Sequence, residues 1–146
     1  MRRTWLAVLL LVLGCKEDAP KVHRVELHKV KADTIELLPL EGTPPHCLAF
    51  SISQSGVVRQ LTMTEDNMSA DCAPGRQVGN GEPFRIPARE GKVRIYVLFS
   101  DQKLEAQPIA DQIHEFASKP DLTVLDLRAP GHVVTDMVEF VPEGAR

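Results

Sequence analysis

Apolar and polar positions alternate with a period of two along much of this chain. From Lys92 to Ser100 (KVRIYVLFS), Val93, Ile95, Val97 and Phe99 fall on one face of an extended segment. Side chains of a strand point to opposite faces in turn, so this run predicts a half-buried strand. Tyr96 and Leu98 make its second face partly apolar too, which places the strand at the centre of its sheet. Cys47 to Ser53 (CLAFSIS) and Val57 to Met63 (VVRQLTM) flank Gln54-Ser55-Gly56 and read as a hairpin. Val22 to Val30, Thr34 to Leu40, Phe84 to Pro87, Leu122 to Leu127 and Val133 to Val141 supply further strands. Glu41 to Pro45 and Ala129-Pro130-Gly131 carry turn chemistry. The period changes once. Ile109, Ile113 and Phe116 recur at helical spacing, with Ala110 and Ala117 beside them. Pro108 suits a first helical position and Lys119-Pro120 a stop, which predicts a helix over residues 108–118. The pattern as a whole is mainly β (α+β): a small β-sandwich or half-open barrel of about seven or eight strands with one packed helix.

One stretch breaks the pattern. Thr64 to Glu82 (TEDNMSADCAPGRQVGNGE) holds Pro74-Gly75 and Asn80-Gly81 and few core residues. A loop this long in a small domain is usually functional or mobile. Its polar residues Glu65, Asp66, Asn67, Asp71 and Arg76 are therefore the candidate contact residues.

The N-terminus has its own logic. Arg2 and Arg3 precede Trp5 to Leu13 (WLAVLLLVL), an unbroken apolar run that stops at Gly14-Cys15. The run is too short for a helix across a bilayer core, which needs ~20 residues, but suits the apolar region of a secretory signal. Val12-Leu13-Gly14-Cys15 resembles the lipobox of bacterial lipoproteins. The resemblance implies a signal peptide over residues 1–14, cleavage between Gly14 and Cys15, and diacylation of the Cys15 thiol. Lys16 to Lys21 (KEDAPK) would be a tether, leaving residues 22–146 as one β-rich domain. Lys16, not Asp, follows the cysteine, so the family likeness implies an outer-membrane address facing the periplasm or the cell surface. Two or three acyl chains hold firmly where one binds reversibly, so the lipid would be the membrane anchor.

Composition narrows the partners. Of 146 residues, 17 are Lys or Arg and 20 Asp or Glu, a formal charge of -3. Such a chain has no electrostatic footprint for nucleic acid, and no polybasic cluster for an anionic bilayer. There are three cysteines. With Cys15 lipidated, Cys47 and Cys72 remain as an even pair, read as a disulfide in an oxidising envelope or as two buried thiols. Neither lies in a Cys-x-x-Cys, and His46 would face away from Cys47 on a strand, so no metal is expected.

Gly56-Val57-Val58-Arg59-Gln60-Leu61, the turn-rich loop, Phe84-Arg85-Ile86-Pro87 and Tyr96-Val97-Leu98-Phe99-Ser100 follow one another in an order similar to an uncharacterised bacterial β-domain family. That family occurs in envelope lipoproteins and beside signalling or caspase-like proteins; the likeness covers roughly residues 46–118 and implies binding or scaffolding. The lipobox, the size and the strand Val93 to Tyr96 also resemble the sandwich lipoprotein of the type VI secretion membrane complex, although there the strand lies nearer the N-terminus.

Catalytic signatures are incomplete. Ser53-Gln54-Ser55-Gly56 lacks the first glycine of a nucleophile elbow, and Ile86 occupies the first glycine position of a phosphate loop ending at Gly91-Lys92. Asp111, His114 and Ser118 share a helix face, but neighbours on one exposed face do not orient a triad. Glu65, Asp66 and Asp71 lack calcium-loop spacing. The expectation is a lipid-anchored, non-enzymatic module without cofactor that binds an envelope protein. The alternatives are a small-ligand or lipid carrier and an envelope enzyme.

Overall fold

A computed structural model of the chain describes residues 22–117, 119 and 127–145. The expected leader, Cys15 and the tether lie outside these residues, as do residues 122–126 of one expected strand and Ser118. The described elements are β1 (Val25–Lys31), β2 (Thr34–Pro39), β3 (His46–Ser53), β4 (Val58–Gln60), β5 (Ala70–Asp71), β6 (Phe84–Arg85), β7 (Val93–Ser100), α1 (Ala106–Phe116) and β8 (Val133–Phe140).

β3 and β7 pair antiparallel without a break, from His46 opposite Ser100 to Ser53 opposite Val93. They form the middle of a five-stranded sheet ordered β4-β3-β7-β8, with β5 sharing the outer edge of β3 with β4. The other sheet has three strands, β1-β2-β6, all antiparallel. No barrel closes among the described strands; the architecture is a small β-sandwich with one helix.

The alternation in β7 explains the layering. Val93, Ile95, Val97 and Phe99 point to the smaller sheet and meet Ile35, Leu37, Val78 and Ile86. Tyr96 and Leu98 point the other way, where Leu48, Phe50 and Ile52 of β3 join Ile109 and Ile113 of α1. The central strands are thus apolar on both faces because both are covered. The β3–β4 turn works as its residues require: Gly56, at φ 84°, donates its N–H to Ser53 O at 3.0 Å, a left-handed conformation a side chain would oppose.

The helix begins two residues earlier than its sequence suggested. Glu105 is its first flanking residue and Pro108 its third helical position. The first four helical N–H groups have no partner within the helix, so a proline there removes no helical bond. Ile109 and Ile113 are buried as expected, and Phe116 is half-buried.

Candidate functional site

The long loop is bonded along its whole path. It leaves β4 with Thr62 buried and the Thr62 hydroxyl accepting the Ala49 N–H at 3.0 Å. At its first bend Thr64 Oγ1 accepts the Met68 N–H at 2.9 Å and lies 2.8 Å from Met68 O. Asn67 sits at a positive φ of 54°, a conformation asparagine tolerates, and its carbonyl accepts the Ala106 N–H at 2.9 Å. That bond satisfies one of the open N–H groups at the start of α1, which has no side-chain cap. Ser69 then locks the same junction: its N–H donates to Leu104 O at 2.7 Å and its hydroxyl accepts the Leu104 N–H at 2.9 Å.

β5 joins the sheet at His46 and Cys47, and the Cys72 N–H donates to Pro45 O at 2.7 Å. Cys47 and Cys72 form a disulfide with Cα atoms 5.8 Å apart, within the span a bridge requires. The chain then crosses to the smaller sheet. Gly75 donates to Pro39 O at 2.9 Å and Val78 to Leu37 O at 3.0 Å, while Gln77 Oε1 accepts the Leu37 N–H at 2.6 Å. These bonds continue the β2–β6 pairing along the free edge of β2. The stretch holds few core residues, as expected, but Ser69, Ala70, Cys72 and Val78 are buried, and the segment is the side wall that joins the two sheets.

The outward face of that wall is a shallow groove of about 660 Å³ between Pro45, Asp71, Arg76 and the Gly79–Gly81 turn. Asp71 and Arg76 line it. Asp71 also lies 3.1 Å from His46 Nδ1, with most of its carboxylate in water. Glu65, Asp66 and Asn67 are not part of this groove; they occupy the exposed bend beside the start of α1. Hydrogen bonds from the Thr64 hydroxyl, then the Met68 N–H, hold the Asp66 carboxyl below its ordinary pKa. Asp66 and Asp71 thus have protein partners of their own, and among the described residues no group of three His, Cys, Asp or Glu could hold a metal ion. Gly14 and Cys15 lie outside the described residues.

Of the polar helix face, Asp111 and His114 are described and Ser118 lies outside the described residues. Asp111 accepts a hydrogen bond from Gln107 Nε2 at 2.7 Å, and His114 is exposed. The second concavity lies at the far end of β3 and was missed in the sequence. About 770 Å³ in volume, it is bounded by Ser53 to Gly56, Lys92 just before β7, Arg94 of β7, Glu139 of β8, His114 of α1 and Lys119 three residues beyond that helix. Its signal was available in part: Lys92 and Arg94 continue the face of β7 that carries Tyr96 and Leu98, turning it from apolar to cationic.

No helix among the described residues is long and apolar enough to cross a membrane. Comparison with known proteins finds no matching family model, no matching curated protein and no matching solved structure. The likenesses carried by the lipobox and by the strand motifs rest on those residues alone.

Proposed function

We propose that the chain is a lipid-anchored lipoprotein of the bacterial cell envelope whose β domain is a non-catalytic binding or scaffold module. Its contact surface is the outer face of the wall over residues 64–82. One observation carries this reading: a long, polar, exposed segment is tied at both ends to rigid sheets and fastened by the Cys47–Cys72 disulfide. A loop ordered before it meets a partner loses little entropy on binding, which is how rigid scaffolds present recognition segments. The disulfide agrees with an oxidising compartment such as the envelope. The space between the sheets is filled by Phe99, Ile35, Leu37, Val78 and Ile86, which favours surface binding over carriage of an apolar ligand inside the sandwich.

Two experiments test the two halves of the proposal. Cys15→Ser should move the protein from membranes to the soluble fraction; retention in membranes would overturn the anchor. A photo-crosslinking residue at Arg76 should capture one reproducible envelope protein, where the same residue at Lys31 on β1 captures none. Equal yields at the two positions would remove the contact surface from the wall.

A further inference from the structure

We infer that the groove on the outer face of the wall takes an acidic segment of the partner protein, with an Asp or Glu carboxylate seated on Arg76. The inference rests on the wall as the contact surface and names the chemistry which that surface selects. Every residue that lines the groove lies among the described ones. Most of its acceptors are already engaged within the protein. Gln77 Oε1 accepts the Leu37 N–H at 2.6 Å, and Asn80 Oδ1 accepts the Glu82 N–H at 3.2 Å. Pro45 O accepts the Cys72 N–H at 2.7 Å, and Ala73 O accepts the Arg76 N–H at 3.2 Å.

The open groups are donors. Arg76 is exposed, and among the described residues no side chain or carbonyl bonds its guanidinium. The Asn80 amide uses its oxygen and keeps its N–H groups open beside it. A guanidinium presents a planar fork of N–H donors that a carboxylate fills with two parallel bonds. The single carboxylate that lines the groove, Asp71, is bonded to His46 of β3 at 3.1 Å and forms no ion pair with Arg76. Arg76 follows Gly75, which is tied to Pro39 of β2. The groove is thus polarised, with an acceptor on the β3 side and donors on the β2 side. An extended segment fits this polarity with a main-chain N–H toward Asp71 and its acid toward Arg76. The disulfide and the Gly75 and Val78 bonds hold the backbone that carries both ends before a partner arrives.

The test places a photo-crosslinking residue at Ala73, exposed and on the groove, in the full lipidated chain in cells. Capture of the envelope partner should fall roughly tenfold in Arg76→Gln, as the loss of a charged hydrogen bond does. It should be lost in Arg76→Glu and persist in Lys31→Gln. The Arg76 side chain is bonded to nothing within the described residues, so thermal unfolding of its variants should match the parent. The captured peptide, sequenced by mass spectrometry, should carry an Asp or Glu beside the linked residue. Exchanging that acid for Lys should restore capture by Arg76→Glu. Full capture in Arg76→Glu, or a captured peptide without an acid, would overturn the inference and leave the wall standing as a contact surface. No capture at Ala73 in the parent chain would remove the wall itself and the inference with it.

Discussion

The two faces of the β3–β7 pair are built from the same alternating strands, yet they are covered differently. Between the sheets, the core is sealed on both flanks. The wall with its disulfide closes one flank. On the other, Asp136 of β8 accepts the N–H groups of Arg24 and Val25 at 2.7 and 3.2 Å, and Glu143 donates its N–H to Ala32 O at 2.9 Å. The opposite face is covered by the 11 residues of α1, with Leu104 and Leu127 beside them. Among the described residues, a helix this short reaches over Leu98, Tyr96 and Phe50, and a concavity lies beyond its end beside Arg94. Closure therefore lies between the sheets, and concave surface lies outside them, along the wall and at the end of the helix.

One pair of substitutions tests this most strongly. Ile95 between the sheets and Ile113 on α1 are both fully buried. Truncating such a residue to alanine costs ~2–5 kcal/mol, depending on how far the surroundings collapse into the gap. Ile95→Ala should fall at the upper end, about 4–5 kcal/mol, because two laced sheets cannot close around it. Ile113→Ala should cost about 2–3 kcal/mol, because a single helix can settle inward. Chemical denaturation measures both, and equal losses would erase the contrast between the faces.

The disulfide comes next. It closes a sequence separation of 25 residues. On the chain-entropy estimate, replacing Cys47 and Cys72 together by serine should destabilise the fold by about 3.5 kcal/mol. Amide exchange locates the effect. Protection should fall at Cys72, Gly75 and Val78, whose N–H groups build the wall, while the amides of α1 change only with global stability. Loss of protection in α1 alone would place the disulfide's influence on the wrong face. Asp136→Ala tests the other flank. It strands the N–H groups of Arg24 and Val25 and should cost about 1–3 kcal/mol, with Asp136→Asn recovering part of the loss through its remaining carbonyl oxygen.

The contrast also separates what the residues announce from what they conceal. β3 and β7 were legible because an apolar residue at every second position reports burial directly, and α1 because Ile109 and Ile113 keep helical spacing. The start of α1 was misplaced for a physical reason: Pro108 is equally acceptable at any of the first helical positions, since none of their N–H groups has a helical acceptor. The wall was opaque. Gly75 and Val78 are fixed to Pro39 and Leu37 by backbone groups, and backbone bonding over so few residues leaves no side-chain period to read. Cys72 hinted at an attachment but not at a crossing between sheets. In the concavity at the end of α1, Arg94 was visible as a charge on the second face of β7, with Lys92 just before the strand. That the end of α1 brings His114 and Lys119 over them is a consequence of packing alone.

Two carboxylates, one on each flank, give the smallest and most local test. Asp33, at the turn between β1 and β2, is held below its ordinary pKa first by the Arg85 side chain of β6, whose Nε donates at 2.8 Å, and then by the Thr34 hydroxyl. Asp66, beside the start of α1, is lowered first by the neutral Thr64 hydroxyl. In both, the folded pKa lies below the unfolded one, so their stabilisation is present above the unfolded value and is lost as pH falls through the folded value. The causes differ, and salt separates them. Arg85 is largely exposed, so added salt should screen its charge and move the Asp33 titration upward, with Asp66 moving less. Arg85→Gln should have the same effect on Asp33 without salt and none on Asp66. Carboxyl resonances followed through an acid titration read both directly. If Asp66 responds to salt as strongly as Asp33, its carboxylate answers to a distant cation and not to the bend that Thr64 and Met68 form, and the wall is then held at that end by charge, not by geometry.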